Sequence, residues 1–198
     1  LQNLKNNNPI DFNGIDWSPN KIGGAQFNIN DFVYEANSLK ILPSSLSKII
    51  PLIVMIVFGS ILFIFSYVNS KKIDPYLLAF IGCFELFFII FYIKLFIKLE
   101  LNTETGNITK GFNLNKAKTI YKISNVVFIQ VIEQHIPQKK NNYNSYEINL
   151  VFKNKERLTI TDHADFEALR AEALKLKEFL KVPIYTKSKS SKEIIELT

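Results

Sequence analysis

Residues 49–68 read IIPLIVMIVFGSILFIFSYV, twenty residues without a charge. At about 1.5 Å per residue a helix of that length rises roughly 30 Å, the thickness of a bilayer's hydrocarbon core. A second run, Tyr76 to Leu95, is broken only by Glu85 and, near its end, by Lys94. Neither run carries the polar stripe at helical spacing that a surface helix of a soluble protein needs. Two buried helices of a soluble bundle are the plain alternative, but length and exclusion of charge favour a transmembrane hairpin over residues 46–98, with spans at about 49–68 and 76–95. The intervening NSKKIDP, residues 69–75, reads as a short polar turn. The first run lies behind a polar segment and lacks a small-residue cleavage pattern, so it does not read as a secretory signal.

Working outward, residues 1–25 form an Asn-rich arm without apolar periodicity, expected to be pinned by Phe12 and Trp17 against a neighbouring surface. Residues 26–45 hold two short extended runs, FVYEA and LKILP, joined at Asn37-Ser38 as a hairpin with Phe32 and Tyr34 on one face. After the spans, residues 99–185 are rich in β signals. Ile97, Leu99 and Leu101 alternate with charged neighbours, and Thr105-Gly106-Asn107 makes a turn. TIYKISNVVFIQVIEQHI is long enough for one bent strand or two short ones. A polar loop follows at about 137–144, and then SYEINLVFK and RLTIT form a hairpin.

In TDHADFEALRAEALKLKEFLKVP, Asp162 reads as an N-cap with Asp165 three residues on. Phe166, Leu169, Ala173, Leu176 and Leu180 form the apolar stripe, and Pro183 ends the helix. Residues 186–198 read as a loose polar tail.

Two strands, a membrane hairpin, five strands and a closing helix make an α+β content that matches a pleckstrin-homology-like β-barrel or sandwich with a C-terminal helix, its strands split around the hairpin. The physical reason for joining the two sets is that two isolated strands are barely stable in water, so residues 32–43 need a sheet to join. A separate sandwich of residues 97–185 is the other arrangement considered.

Tyr146-Glu147-Ile148-Asn149-Leu150-Val151, Asp162-His163, Phe179-Leu180-Lys181-Val182-Pro183 and, upstream, Gly23-Gly24-Ala25-Gln26-Phe27 carry a resemblance. With the central hairpin, they resemble an uncharacterised family of bacterial two-span inner-membrane proteins with a C-terminal pleckstrin-homology-like domain. Some members carry a Thr-His pair after the Gly-Gly-Ala signature, where this chain has Asn28-Ile29-Asn30. The resemblance implies a fold and a multi-pass place in the bacterial inner membrane, and no reaction.

Charge adds orientation. The net charge is +6, and residues 99–198 hold 16 Lys/Arg against 12 Asp/Glu. Lys40 and Lys48 precede the first span, Lys94 and Lys98 close the second and Lys110 follows, against only Lys71 and Lys72 in the connecting turn, so the positive-inside rule favours both termini in the cytoplasm. Lys94, Lys98, Lys110, Lys116 and Lys118 are candidates for an anionic-lipid surface, with a solvated face as the ordinary alternative. No arginine-rich stripe supports nucleic-acid binding. Cys83 is the only cysteine, which leaves no intrachain disulfide or thiolate cluster.

Chemistry-bearing patterns are few. Asp162-His163-Ala164-Asp165 is the most enzyme-like spacing, but an N-cap with its first helical turn accounts for both acids, and no second metal-spaced histidine motif accompanies them. Gly23-Gly24 lacks the Lys-Ser or Lys-Thr of a P-loop. The residues therefore imply no catalytic, cofactor or metal site and no small-molecule substrate. Glu85 stands apart, because an acid at mid-bilayer costs about 2.5–3.5 kcal/mol on insertion scales. Antiparallel pairing puts Ser60 at its depth, with Gly59 and Gly82 letting the helices approach. Glu85 is thus expected to face the first span in its protonated form, donating to Ser60 or a backbone carbonyl.

These readings point to a membrane-anchored interaction or scaffold protein, a subunit or assembly factor of a membrane complex, with the bilayer and a protein partner or second copy as its contacts. An accessory subunit of a transport or proton-linked complex using Glu85 is the alternative, and an enzyme using Asp162 and His163 ranks last.

Overall fold

The computed structural model describes residues 10–20, 25–26, 30–70, 75–94, 97–112, 117–137, 142–187 and 193–197. Over these described residues it is an α+β fold with two five-stranded sheets and three α-helices. The chain divides into two compact units, one of residues 28–123 and one of residues 1–27 with 124–198.

The unit of residues 28–123 holds the first sheet and two helices. β1 (Asn30–Tyr34) and β2 (Ser38–Pro43) form an antiparallel hairpin, closed where Glu35 N–H donates to Ser38 O at 2.8 Å. Helix α1 (Ser45–Ser70) follows after one residue, then α2 (Pro75–Lys94), then β3 (Lys98–Asn102). β3 pairs with β2, so strands from either side of the helices lie in one sheet. β4 (Asn107–Gly111) and β5 (Lys118–Lys122) complete the order β1-β2-β3-β4-β5. Gly106, at φ +67°, takes the left-handed conformation of the β3–β4 turn, which costs glycine little. Leu39, Ile41, Leu99, Leu101 and Ile108 share one face by strand alternation and register, and all are buried.

Helix α1 contains the stretch Ser47–Phe65, 19 residues at mean hydropathy 2.6 with none of it buried. Among the described residues it is the one helix long and apolar enough to cross a membrane. Of the expected polar turn, residues 69–75, Asn69 and Ser70 end α1 and Pro75 opens α2, while residues 71–74 lie outside the described residues, as do Lys116 and the Gly23-Gly24 pair.

The second unit is built on the sheet β10-β9-β6-β7-β8. The run 118–136 divides at a 3-10 turn, Ile123–Asn125: its first part is β5 of the first sheet and its second is β6 (Val126–Ile136) of the second. β7 (Tyr143–Phe152) and β8 (Arg157–His163) follow, with Lys155 at φ 67° in their turn. Helix α3 (Phe166–Leu180) buries Leu169, Ala173 and Leu176, while Phe166 at the end of the stripe stays exposed.

The structure corrects two expectations. The N-cap of α3 is Asp165, whose carboxylate accepts from Ala168 N–H at 3.0 Å. Asp162 is not a cap, because β8 runs on through His163 and pairs Asp162 with Glu147. The tail is not wholly loose either. β9 (Ile184–Lys187) joins β6 in parallel, and β10 (Ile194–Glu196) pairs with β9. Alternation over Ile184-Tyr185-Thr186 is too short to mark a strand in sequence, and the neighbouring β6 edge supplies the pairing that decides it.

Candidate functional site

The α2 acid, Glu85, meets α1 at Gly59. A Cβ built on Gly59 would lie 2.2 Å from Glu85 Oε1, so the carboxyl fills the space that the missing side chain leaves. One residue earlier on each helix, the rings of Phe58 and Phe84 pack at 4.6 Å between centroids. Ser60, at the predicted depth, gives its hydroxyl proton to Ile56 O of its own helix at 2.7 Å. Gly82 borders open space, so it is not what lets the helices approach. The contact is thus acid against glycine, with the small residue setting how closely the two backbones come.

A larger polar assembly lies in the other unit. Strand alternation puts Phe128 and Gln130 of β6, Ser145, Glu147 and Asn149 of β7, and Arg157, Thr159 and Asp162 of β8 on the face of the second sheet opposite α3. Gln130 and Asn149 are 0% exposed, and Glu147 and Asp162 4%. Buried polar groups persist only when hydrogen-bonded, and here they bond one another and the arm. Asn149 Nδ2 donates to Glu147 Oε1 at 2.6 Å and to Gln130 Oε1 at 3.3 Å.

The arm, residues 10–26, is read mostly through its main chain. Gln130 Nε2 donates to Asp16 O at 2.9 Å and Arg157 Nη1 to Ser18 O at 2.6 Å. Asn20 N–H donates to Glu147 Oε1 at 3.1 Å and Ala25 N–H to Asp162 Oδ2 at 2.9 Å. Glu147 and Asp162 face each other across the strands, an arrangement that repels when both are ionised and that amide donors offset.

Apolar anchoring comes at the arm's other end. Phe12 packs against Phe128 and Tyr185 at 5.6 and 4.9 Å, and Trp17 stacks on Phe128 at 6.2 Å and 18°. Burial, and then Glu196, raises the Tyr185 hydroxyl above its ordinary 10.0. Phe12 and Trp17 therefore do pin the arm, and the surface is β6 with β9.

Ion pairs close the outer edge. Arg157 Nη2 bonds Asp16 Oδ2 at 2.8 Å and Lys155 Nζ bonds Asp11 Oδ2 at 3.1 Å. The Ser18 amide and hydroxyl, and after them Arg157, hold the Asp16 carboxyl below its ordinary 3.8. A carboxyl depressed in the folded state contributes above its unfolded pKa and loses that contribution as pH falls through the folded one. The part of arm docking that Asp16 contributes is therefore expected to be lost as pH falls below about 3.8. Trp17 is the single tryptophan, so its emission reports docking directly; Asp16→Asn should loosen the arm at neutral pH and flatten the acid transition.

The Asp162-His163 pair does not form a site. Neighbouring strand residues point to opposite faces, and Asp162 meets the arm while His163 Nε2 faces Glu172 Oε2 of α3 at 3.4 Å. His135 is exposed and bonds Asn144 Oδ1. Among the described residues no group of three His, Cys, Asp or Glu side chains could hold a metal. Two clefts beside α3, of about 500 and 410 Å³, contain neither Asp162 nor His163.

No family model matches the chain, and no curated protein or solved structure matches it significantly. The site thus rests on its own geometry.

Of the lysine candidates, Lys110 and Lys118 are exposed and directly paired across β4 and β5, and Lys98 is half-buried at the start of β3. Lys94 closes α2. Register puts Lys98, Lys110 and Lys118 at the sheet end from which β2 leads into α1 and to which α2 returns. Sequence reasoning missed Gln130, Glu147, Asn149 and Arg157 as an assembly. The signal was present in Ser145, Glu147 and Asn149 at alternate positions, the polar half of a strand whose other half is apolar.

Proposed function

We propose that the protein is a membrane-anchored, pleckstrin-homology-like interaction module whose two long helices cross the bilayer as a hairpin. The observation that carries the reading is the pairing of β2 with β3. These strands flank the helices in sequence, and a hydrogen-bonded sheet cannot straddle a bilayer. If α1 crosses, the chain must cross back before Lys98, and α2 is the helix available to do so. The charge pattern then favours the cytoplasmic side of a bacterial inner membrane for both sheets and both termini.

Each unit supports part of the reading by itself: β1 to β5 form an antiparallel meander, and in the other unit α3 follows β8 and packs on the second sheet. The family resemblance belongs to the same proposal. Partner binding is supported by the anchor and by a polar sheet face that holds a non-regular chain segment through its main-chain groups. Affinity purification in mild detergent tests it: a stoichiometric partner or a second copy is expected, and recovery of the lone monomer under all conditions would contradict it.

The lysines at the membrane-proximal end of the first sheet fit anionic headgroups, each contributing about 1 kcal/mol near the surface. Charges of one sign placed opposite each other across strands gain from such a counter-anion. Native mass spectrometry of the solubilised protein is expected to retain anionic phospholipid, and the variant K110E/K118E to lose it while keeping zwitterionic lipid. Equal retention by both proteins would remove the lipid-facing role.

A further inference from the structure

We propose that the polar face of the second sheet is a main-chain-reading groove that accepts the arm of a second copy of this chain, so that neighbouring copies exchange arms. This deepens the interaction-module reading by naming the partner. Three observations carry it.

First, the arm is attached to the sheet by groups 114 to 144 residues away in sequence. It clusters with residues 124–198, while the chain that follows it from Asn28 belongs to the other unit. Among the described residues, none of the arm lies in a strand. For these described residues exchange breaks no ladder hydrogen bonds, and every bond that they give up on one copy is remade on the other, which is what makes segment exchange a low-cost route to association.

Second, the groove recognises features that another segment would have to reproduce. Gln130 and Arg157 take the carbonyls of Asp16 and Ser18, and Glu147 and Asp162 take the amides of Asn20 and Ala25. Any peptide offers such groups, so these bonds give affinity and little selectivity. Selectivity comes from the side chains. Phe12 and Trp17 pack on Phe128 and Tyr185, and Asp11 and Asp16 meet Lys155 and Arg157. The arm of an identical chain carries both pairs at the required spacing.

Third, an empty groove is disfavoured. Loss of the arm would return Phe128 to water and leave buried Gln130 Nε2 without its carbonyl acceptor, so release is favourable only when a replacement arrives. Confinement in a bilayer raises the concentration at which copies meet, which offsets the advantage of the copy's own arm.

The test uses full chains in a Cys83→Ser background, reconstituted in vesicles. One population carries Asn20→Cys and a differently tagged one Thr159→Cys, two positions in hydrogen-bond contact at 3.1 Å. A short bis-thiol reagent should join the two tags in mixed vesicles, at about tenfold or more above a control pair of Asn20→Cys with Lys110→Cys, because exchange fixes one geometry and collision does not. A single chain carrying both Asn20→Cys and Thr159→Cys shows that the substituted arm still docks, by an intrachain link. An intrachain link without joined tags, or joined tags no more abundant than in the control, would overturn arm exchange. Recovery of other proteins by affinity purification decides the module reading separately.

Discussion

Replacing Phe128 with Ala is expected to destabilise the second unit by about 3–5 kcal/mol, the range for truncating a fully buried aromatic side chain. Phe128 is 0% exposed and meets three rings, Phe12, Trp17 and Tyr185, so it is the point where the arm's apolar anchors and the sheet core coincide. Two losses should appear together. Denaturant unfolding should shift to lower midpoint, and Trp17 emission should move toward that of a solvent-exposed indole before global unfolding begins. Phe128→Leu separates the contributions: it keeps most of the apolar volume and gives up the ring geometry, about 0.5–1.5 kcal/mol per aromatic pair beyond area. A Phe128→Ala protein with unchanged Trp17 emission would mean that the arm is held by its polar bonds alone.

The second large effect is expected at Gly59. Its replacement by Leu puts a side chain where Glu85 Oε1 now sits, and overpacking of this kind costs about 1–3 kcal/mol. In the helix pair the outcome should be separation, read as slower disulfide formation between Phe58→Cys and Phe84→Cys in a Cys83→Ser background. Gly82→Ala, whose added methyl meets nothing within 4 Å, should leave that rate unchanged. Adding Glu85→Ala to Gly59→Leu should restore part of the pairing, because the double variant removes the group that collides. That coupling tests whether Glu85 packs against Gly59, and a single Glu85→Ala that leaves the rate unchanged would mean that the helix pair is held by packing elsewhere.

Local order was readable from residues wherever one face of an element is uniformly apolar. The stripe of Leu169, Ala173 and Leu176 and the alternation of Ile148, Leu150 and Phe152 each mark their element and its buried side. The turns at Gly106 and Lys155 fall where short polar residues interrupt those patterns. Legibility ended where distant chain decides the outcome. Asp162 has the composition of a helix cap, yet the β7 edge extends β8 past it and gives the cap to Asp165, three residues later. Ile184–Lys187 becomes a strand because β6 offers a parallel edge. The arm's path across Gln130, Glu147 and Arg157 depends on contacts spanning more than a hundred residues, for which no local periodicity exists. Glu85 falls between the two cases: its depth follows from counting along two helices, but a one-residue offset moves its neighbour from Ser60 to Gly59.

Sided labelling of single cysteines tests the membrane account most directly. In a Cys83→Ser background, Asn37→Cys lies in the β1–β2 turn, Glu104→Cys in the β3–β4 turn and Pro75→Cys at the start of α2, all three at exposed positions. With a membrane-impermeant thiol reagent applied to intact and then to opened vesicles, Asn37→Cys and Glu104→Cys are expected to react from one side and Pro75→Cys from the other. Reaction of all three from the same side, or of Asn37→Cys and Glu104→Cys from opposite sides, would contradict a helical hairpin that leaves the bilayer on the side it entered.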